Sequence, residues 1–368
     1  MIYLDNGATS LHKPESVYRA MRCALENCAN PGRGGHPAAM AAAKTVLRCR
    51  ERAGELFGCR PEQVVMTSNC THGLNIAINT LVKPGARVVI SGFEHNAVTR
   101  PLYARKAQLA VAGRRLFDWE DTLDSFKKAL EKGADAAVFT HVSNVFGYIL
   151  PVEEMARLCV YYGVPFILDA AQSAGRLPVN MELLGAEFIA MPGHKGLLGP
   201  QGTGILLCKN QPLPLLQGGT GSLSESQEMP DFLPDGAEAG TLNVPGIAGL
   251  SAGLDYVLHR TPERLFAPEQ RETARCAKAL EAMGFRVFAG EHQGGTVSFV
   301  PGIDCEDAAG ILAEHGIAVR AGLHCAPLAH ESAGTLATGT VRVSYGLDAA
   351  PWQTGNLLLE AGKIRPQS

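Results

Sequence analysis

Two residues able to do chemistry lie close together in mid-chain. Val164-Pro-Phe-Ile-Leu-Asp169 is an apolar run too short for a helix, so it reads as a buried strand ending in a carboxylate. In an α/β sheet that strand end is where ligands sit. A second run, Phe188-Ile-Ala-Met191, empties into the glycine-rich stretch Pro192–Gly204 before Ile205-Leu-Leu-Cys208 resumes as a strand. Lys195 is thereby held on a loop between two strands. Such an amine can form a Schiff base with a carbonyl compound, and enzymes that use pyridoxal phosphate (PLP) pair it with an acid that keeps the pyridine nitrogen protonated. Asp169 and Lys195 have that relation. Taken singly, a strand-end Asp is a common cap or turn residue, and a Lys among glycines a common solvated loop. Nucleotide loops fail here, because no Gly-x-Gly-x-x-Gly follows a strand and Lys195 lacks the Gly-x-x-x-x-Gly-Lys-Ser/Thr frame.

Other residues could join them. After the strand Gln63–Thr67, Cys70 and Thr71 open a helix whose free N–H groups suit a phosphate, unless Ser68 and its neighbours are an ordinary cap. His95 follows the strand Arg87–Ser91; a lone His is more often structural, but it can relay protons. Cys325 sits in Ala321-Gly-Leu-His-Cys-Ala-Pro327, where Gly and Pro argue for a loop. Beside His324 and Arg320 its thiol would ionise more readily than at the reference pKa of ~8.5. Arg342 is an isolated charge in the apolar strand Thr340–Ser344, and alternation alone would turn it outward.

Several motifs together, Leu168-Asp-Ala-Ala-Gln172, Gly193-His-Lys195, His141-Val-Ser-Asn144 and Arg320-Ala-Gly-Leu-His-Cys325-Ala, resemble the class V aminotransferase family, specifically its cysteine desulfurases. The resemblance runs from Tyr3-Leu-Asp-Asn-Gly-Ala-Thr9 to Val341-Arg-Val-Ser-Tyr345. It implies a PLP-dependent transferase of fold type I, with a mostly parallel seven-stranded sheet in a large domain and a smaller α/β domain. It also implies that Lys195 and Asp169 hold PLP with His95 stacked on its ring. Cys70, Thr71, Asn144, Gln172 and His194 are the further cofactor contacts, and Arg342, Arg320, Asn144 and His36 the substrate contacts. Glu238-Ala-Gly-Thr241-Leu-Asn243 would reach across a homodimer to the neighbour's phosphate. Cys325 would take sulfur from L-cysteine as a persulfide, leaving L-alanine. The short separation of Cys325 and Arg342 resembles the Suf-like group, which relies on a separate sulfur-acceptor protein.

A selenocysteine lyase would share every one of these residues, with L-selenocysteine as substrate. Another class V aminotransferase or lyase, in which Cys325 is not the nucleophile, is the second alternative, and a PLP-free thiol enzyme the third. The chain departs from the family pattern at Cys70, often Thr, and at Pro192, where better-known members place a phosphate-binding Ser. The resemblance then leaves His194 and the helix start to hold the phosphate.

The elements that must position these residues follow from pattern. Strands at Gln63–Thr67, Arg87–Ser91, Ala134–His141 and Val164–Asp169 alternate with helices over Pro14–Cys28, Ala38–Phe57, the stretch after Cys70, and Pro151–Tyr162, which argues for a parallel sheet wrapped on both sides. Past Cys208 come turn-rich loops, then helices over Pro245–His259 and Arg264–Met283, a strand Gly295–Val300 and a helix Asp304–Glu314. This divides the chain into 15–250 as the large domain and 1–14 with 251–368 as the small one, with Tyr3–Thr9 a strand or arm packed on something distant. With 368 residues, 46% hydrophobic and 19% charged, the composition is that of a soluble globular protein. The net charge of −3 and the lack of basic runs argue against nucleic acid, and no apolar run approaches a membrane span. The start Met1-Ile-Tyr-Leu-Asp-Asn has no signal core, so a cytoplasmic protein with ten reduced cysteines is expected. No Cys-x-x-Cys occurs, and no metal site is expected.

Overall fold

A computed structural model describes residues 1–32 and 34–364, so Arg33 of the loop before His36 lies outside the described residues. In chain order the strands are β1 (Ile2–Tyr3), β2 (Val64–Thr67), β3 (Arg87–Ser91), β4 (Gln108–Ala112), β5 (Ala136–Thr140), β6 (Phe166–Asp169), β7 (Phe188–Pro192), β8 (Gly204–Cys208), β9 (Arg286–Phe288), β10 (Thr296–Val300), β11 (Ile317–Ala318), β12 (Arg320–Gly322) and β13 (Thr340–Ser344). Seven form one sheet in the order β2-β8-β7-β6-β5-β3-β4, parallel except for β8, which runs against both its neighbours. The fold is the α/β architecture expected of fold type I.

Strands β5 to β8 are buried at every position, as central strands covered on both faces must be. Alternate residues feed opposite cores. Ala137, Phe139, Phe166, Leu168 and Ile189 pack on one face, and Ala136, Val138, Ile167, Phe188 and Ala190 on the other. In register, Thr140 pairs with Asp169 and Asp169 with Ala190, so the carboxyl ends of three central strands lie side by side. That row is the floor of the site.

A second, antiparallel sheet, β12-β13-β10-β9, has its own core of Val297, Phe299, Val341, Val343 and Leu312, into which Leu4 of the N-terminal arm also inserts. The arm is held there because β1 pairs with β11 in parallel and Ser344 N donates to Leu4 O at 2.7 Å. One expectation needs correcting. The stretch Ala321–Pro327 is not a loop throughout: Arg320–Gly322 is a strand on β13, and Pro327, which lacks an N–H to lose, opens the helix Pro327–Ala333. The irregular part is Leu323–Ala326.

Candidate active site

Asp169 ends β6 with its carboxylate buried. Oδ1 accepts from Ala171 N at 2.9 Å and from Cys70 Sγ at 3.5 Å. Burial raises its pKa, against the opposing pull of the Ala171 N–H and of Lys195. Lys195 follows β7 on a turn built from close backbone contacts. Gly193 N donates to Thr203 O at 2.9 Å and Gly199 N to Gly193 O at 2.7 Å. The turn after β6 presses on the same loop: a Cβ on Gly196 would lie 2.2 Å from Ala174 O, and one on Gly175, at φ +78°, 2.5 Å from Gly196 O. Only glycine allows that approach, and it fixes the Lys195 loop against the segment leaving Asp169. Arg176, in a buried ion pair with Glu269 at 2.8 Å, donates to Gly196 O at 2.9 Å. Burial, followed by the charge of Arg342, brings the Lys195 ammonium down to about 8.

Around this pair stand three neutral imidazoles. His95 Nδ1 accepts from Ala97 N at 2.9 Å, so its ring proton is on Nε2; burial, with Lys195 second, lowers its pKa to about 4. His194 Nδ1 lies 3.0 Å from Thr9 Oγ1, and burial with Lys195 lowers it to about 4 as well. The backbone oxygen of His194 accepts from Ser10 N at 3.0 Å and Ser10 Oγ at 2.9 Å, tying the arm to the lysine loop. His324 Nε2 is 3.2 Å from the Thr340 carbonyl oxygen, which only accepts, so it carries the proton; Nδ1 is buried without a partner among the described residues. Burial and then Arg342 push its pKa to about 2.

Cys325 is exposed in the short Leu323–Ala326 loop. His324 and Cys325 both have left-handed backbones, φ +49° and +57°, which cost non-glycine residues energy and persist where the surroundings impose them. The surroundings do so through Asn144 Nδ2, which donates to His324 O at 2.8 Å, and Asn96 N, which donates to Cys325 O at 2.8 Å. Arg342 is 2% exposed and does not turn outward. Its Nη1 donates to Asn144 O at 2.9 Å and its Nη2 to Asp5 Oδ1 at 2.5 Å, while Nε has no partner among the described residues.

A cavity of about 200 Å³ draws these groups together. It is lined by Cys70, Thr71, His95, Asn144, Asp169, Gln172, His194, Lys195, Arg320, Cys325 and Arg342, and also by Pro192 and His324. Two candidate residues lie elsewhere in the chain. His36 is exposed and caps the helix Pro37–Phe57, its Nδ1 accepting from Ala39 N at 3.4 Å. Thr241 is exposed and lines a separate cleft with Ser68 and His72. Its segment is anchored by Glu238, which is buried, takes a hydrogen bond from Met66 N at 2.6 Å and pairs with Arg50 at 2.6 Å.

Sequence reasoning missed the supports. Glu94, fully buried, ties β3 to β5 by accepting from Ser91 Oγ and from Thr140 N at 3.0 Å, and burial raises its pKa to about 8. A Glu beside a His carries no signal of this. Arg176 and Asp5 are equally silent in the sequence, because their partners are distant along the chain.

The donor set fits PLP. A lysine near neutrality can bond its aldehyde, a buried acid can keep its pyridine nitrogen protonated, a flat neutral His95 can lie on its ring, and the start of the helix Cys70–Leu81 can take its phosphate. At that helix start Asn69 Oδ1 accepts from His72 N at 2.8 Å, and the thiol of Cys70 turns to Asp169, so Cys70 has its backbone N–H to offer a phosphate.

Comparison with known proteins agrees. The chain is 32% identical to a probable cysteine desulfurase of Pyrococcus abyssi over 94% of its own length and 89% of that protein. To a cysteine desulfurase of Haloferax volcanii it is 32% identical over 92% and 84% of the two chains. Its structure matches the apo cysteine desulfurase of Thermococcus onnurineus with a TM-score of 0.90 and 31% identity, covering 99% of this chain and 94% of that one. The family model for class V aminotransferases matches residues 2–351, and the chain belongs to that family.

Proposed function

We propose that this protein is a PLP-dependent cysteine desulfurase, which converts L-cysteine to L-alanine and passes the sulfur to Cys325. The observation that carries this reading is an exposed thiol, Cys325, held on the rim of the cavity that contains Lys195, Asp169, Arg342 and Arg320. An ordinary transaminase has no use for a cysteine there.

PLP, when bound, supplies an electron sink that lets the bonds at the substrate's Cα be broken. Arg342 and Arg320 grip the substrate carboxylate, and Asn144 holds Arg342 by its carbonyl. Lys195, as the free amine, takes the proton from Cα. Asp169 keeps a proton at the pyridine nitrogen, and His95 presents a neutral ring with its proton on Nε2. Cys325 Sγ, as thiolate, attacks the substrate sulfur. The S–S bond forms as the Cβ–S bond breaks, and the electron pair stays with Cβ; a proton taken up at Cβ and the return of the Cα proton from Lys195 complete L-alanine.

Finer assignments belong to the same reading. The Cys325 loop is short and anchored at both His324 O and Cys325 O, so the persulfide stays at the cavity and the acceptor, a thiol-bearing protein, must come to it. Thr241, outside the cavity of its own chain, serves the phosphate of a second copy in a homodimer. Residues 15–250 form the PLP-binding domain, and 1–14 with 251–368 the smaller one. Among the described residues no helix is long and apolar enough to cross a membrane, and ten free cysteines suit the reducing cytoplasm. L-Selenocysteine remains the alternative substrate, separable by turnover alone.

The test is Cys325→Ala. The variant is expected to bind PLP and L-cysteine as the wild type does, yet to release almost no alanine or sulfide, while the wild type given L-cysteine without reductant carries a persulfide on Cys325 by peptide mass mapping. Release of alanine and sulfide by the variant at the wild-type rate would make Cys325 a structural residue and end this reading.

A further inference from the structure

The N-terminal arm carries a carboxylate that the reaction above does not use. Asp5 Oδ1 lies 2.5 Å from Arg342 Nη2. Arg342 lines the catalytic cavity, and Asp5 is not among the residues that line it.

The arm is built to keep Asp5 there. Asp5 O accepts from the Tyr3 hydroxyl at 3.1 Å and from Ala8 N at 3.0 Å; Asn6 N donates to Ser344 O at 3.2 Å, and Gly7 N to Ser344 Oγ at 2.8 Å. The guanidinium has little room to leave, since even a Cβ on Gly7 would stand 3.3 Å from Arg342 Cζ. A charge problem is solved at the same point. Arg320 and Arg342 are directly opposed across β12 and β13, an arrangement of like charges that opposes pairing. Asp5 balances the buried member, and Arg320, exposed and without a partner among the described residues, keeps its charge for a ligand. Two of the five guanidinium N–H groups of Arg342 are thus committed, to Asp5 and to Asn144 O, and Nε–H is among those left.

We infer that Asp5 is the positioning residue of the substrate-carboxylate clamp: by holding Nη2 of Arg342 from the protein side, it fixes the guanidinium so that its remaining donors meet the α-carboxylate of the amino-acid substrate. This rests on the reading of Arg342 as that clamp.

The experiment compares two ligands that differ by the carboxylate alone, L-alanine and ethylamine, by titrating the holoenzyme of wild type, Asp5→Ala, Asp5→Asn and Arg342→Ala. Expected for Asp5→Ala is about a tenfold or greater loss of L-alanine affinity, with a matching rise in KM for L-cysteine, a smaller change in kcat, and ethylamine binding unaltered. Asp5→Asn keeps an acceptor oxygen for Nη2 and loses only the charge, so it should fall between. Equal weakening of both ligands would show that the arm is merely structural, and wild-type affinity for L-alanine in Asp5→Ala would show that Arg342 needs no such support; either result overturns the inference. If Asp5→Ala does not fold, the same two criteria are applied to Asp5→Asn. Arg342→Ala separates the two layers: if it binds L-alanine as the wild type does, the clamp reading itself has failed, whatever the Asp5 variants do.

Discussion

Lys195 shows how burial prepares a residue for chemistry. An ordinary lysine near pKa 10.4 is almost wholly charged at neutral pH, and the ammonium form cannot attack an aldehyde. At about 8, close to a tenth of Lys195 is the free amine at pH 7. The cause is mainly desolvation, and the nearby cation Arg342 adds to it. The free amine grows as pH rises, so capture of PLP by the apo-protein is expected to speed up with pH and to level off through a midpoint near 8. Stopped-flow absorbance across pH 6 to 10.5 checks this. A midpoint near 10 would mean that Lys195 is as hydrated as a surface lysine. Borohydride reduction and peptide mapping should place the pyridoxyl label on Lys195.

At the scale of elements, the site depends on two loops that touch backbone to backbone. Gly196→Ala puts a methyl 2.2 Å from Ala174 O, a rigid atom that cannot rotate away. The variant is expected to lose about 1–3 kcal/mol of stability, the ordinary cost of overpacking, and to bind PLP more weakly because Lys195 and Asp169 no longer share a frame. Urea denaturation and a PLP titration measure the two effects; an unchanged PLP affinity would show that the loops are not coupled. Much of this scale is legible in sequence. The central strands are continuous apolar runs because both faces are covered, and that signal survives without any partner in view. Strand β4 gives no such signal, since it lies at the sheet edge with Gln108 and Leu109 exposed. Arg342 is misjudged by alternation for a different reason: its strand is buried throughout, and the carboxylate that makes this tolerable is at Asp5, at the other end of the chain. The resemblance motifs locate Lys195, Asp169 and Cys325, but Arg176 and Asn96, which hold the Lys195 and Cys325 loops, and Glu94, which ties β3 to β5, act through tertiary contacts that no spacing encodes.

The whole molecule brings these scales together through pieces remote in sequence. One short arm reaches Arg342 by Asp5 and the Lys195 loop by Ser10, so the proposed substrate clamp and the proposed PLP lysine are tied to one segment. On the proposed reading a second copy completes the site. Thr241 is exposed, lines a cleft apart from Lys195, and lies on the segment that the buried Arg50–Glu238 pair anchors. If it serves the partner's phosphate, the two defects Lys195→Ala and Thr241→Ala fall in the same site of a mixed dimer. The other site then has an intact lysine from one chain and an intact threonine from the other. Neither variant alone should be active at limiting PLP, Lys195→Ala for want of its anchor and Thr241→Ala for weak phosphate binding. Unfolding and refolding them together in equal amounts makes about half the dimers mixed, each with one whole site, and should restore about a quarter of wild-type activity. Were Thr241 to act on its own chain, each mixed dimer would hold two damaged sites and the mixture would stay at the level of the separate variants. The same mixture measured at saturating PLP, where Thr241→Ala alone recovers, verifies that the threonine acts through cofactor affinity and not through the fold.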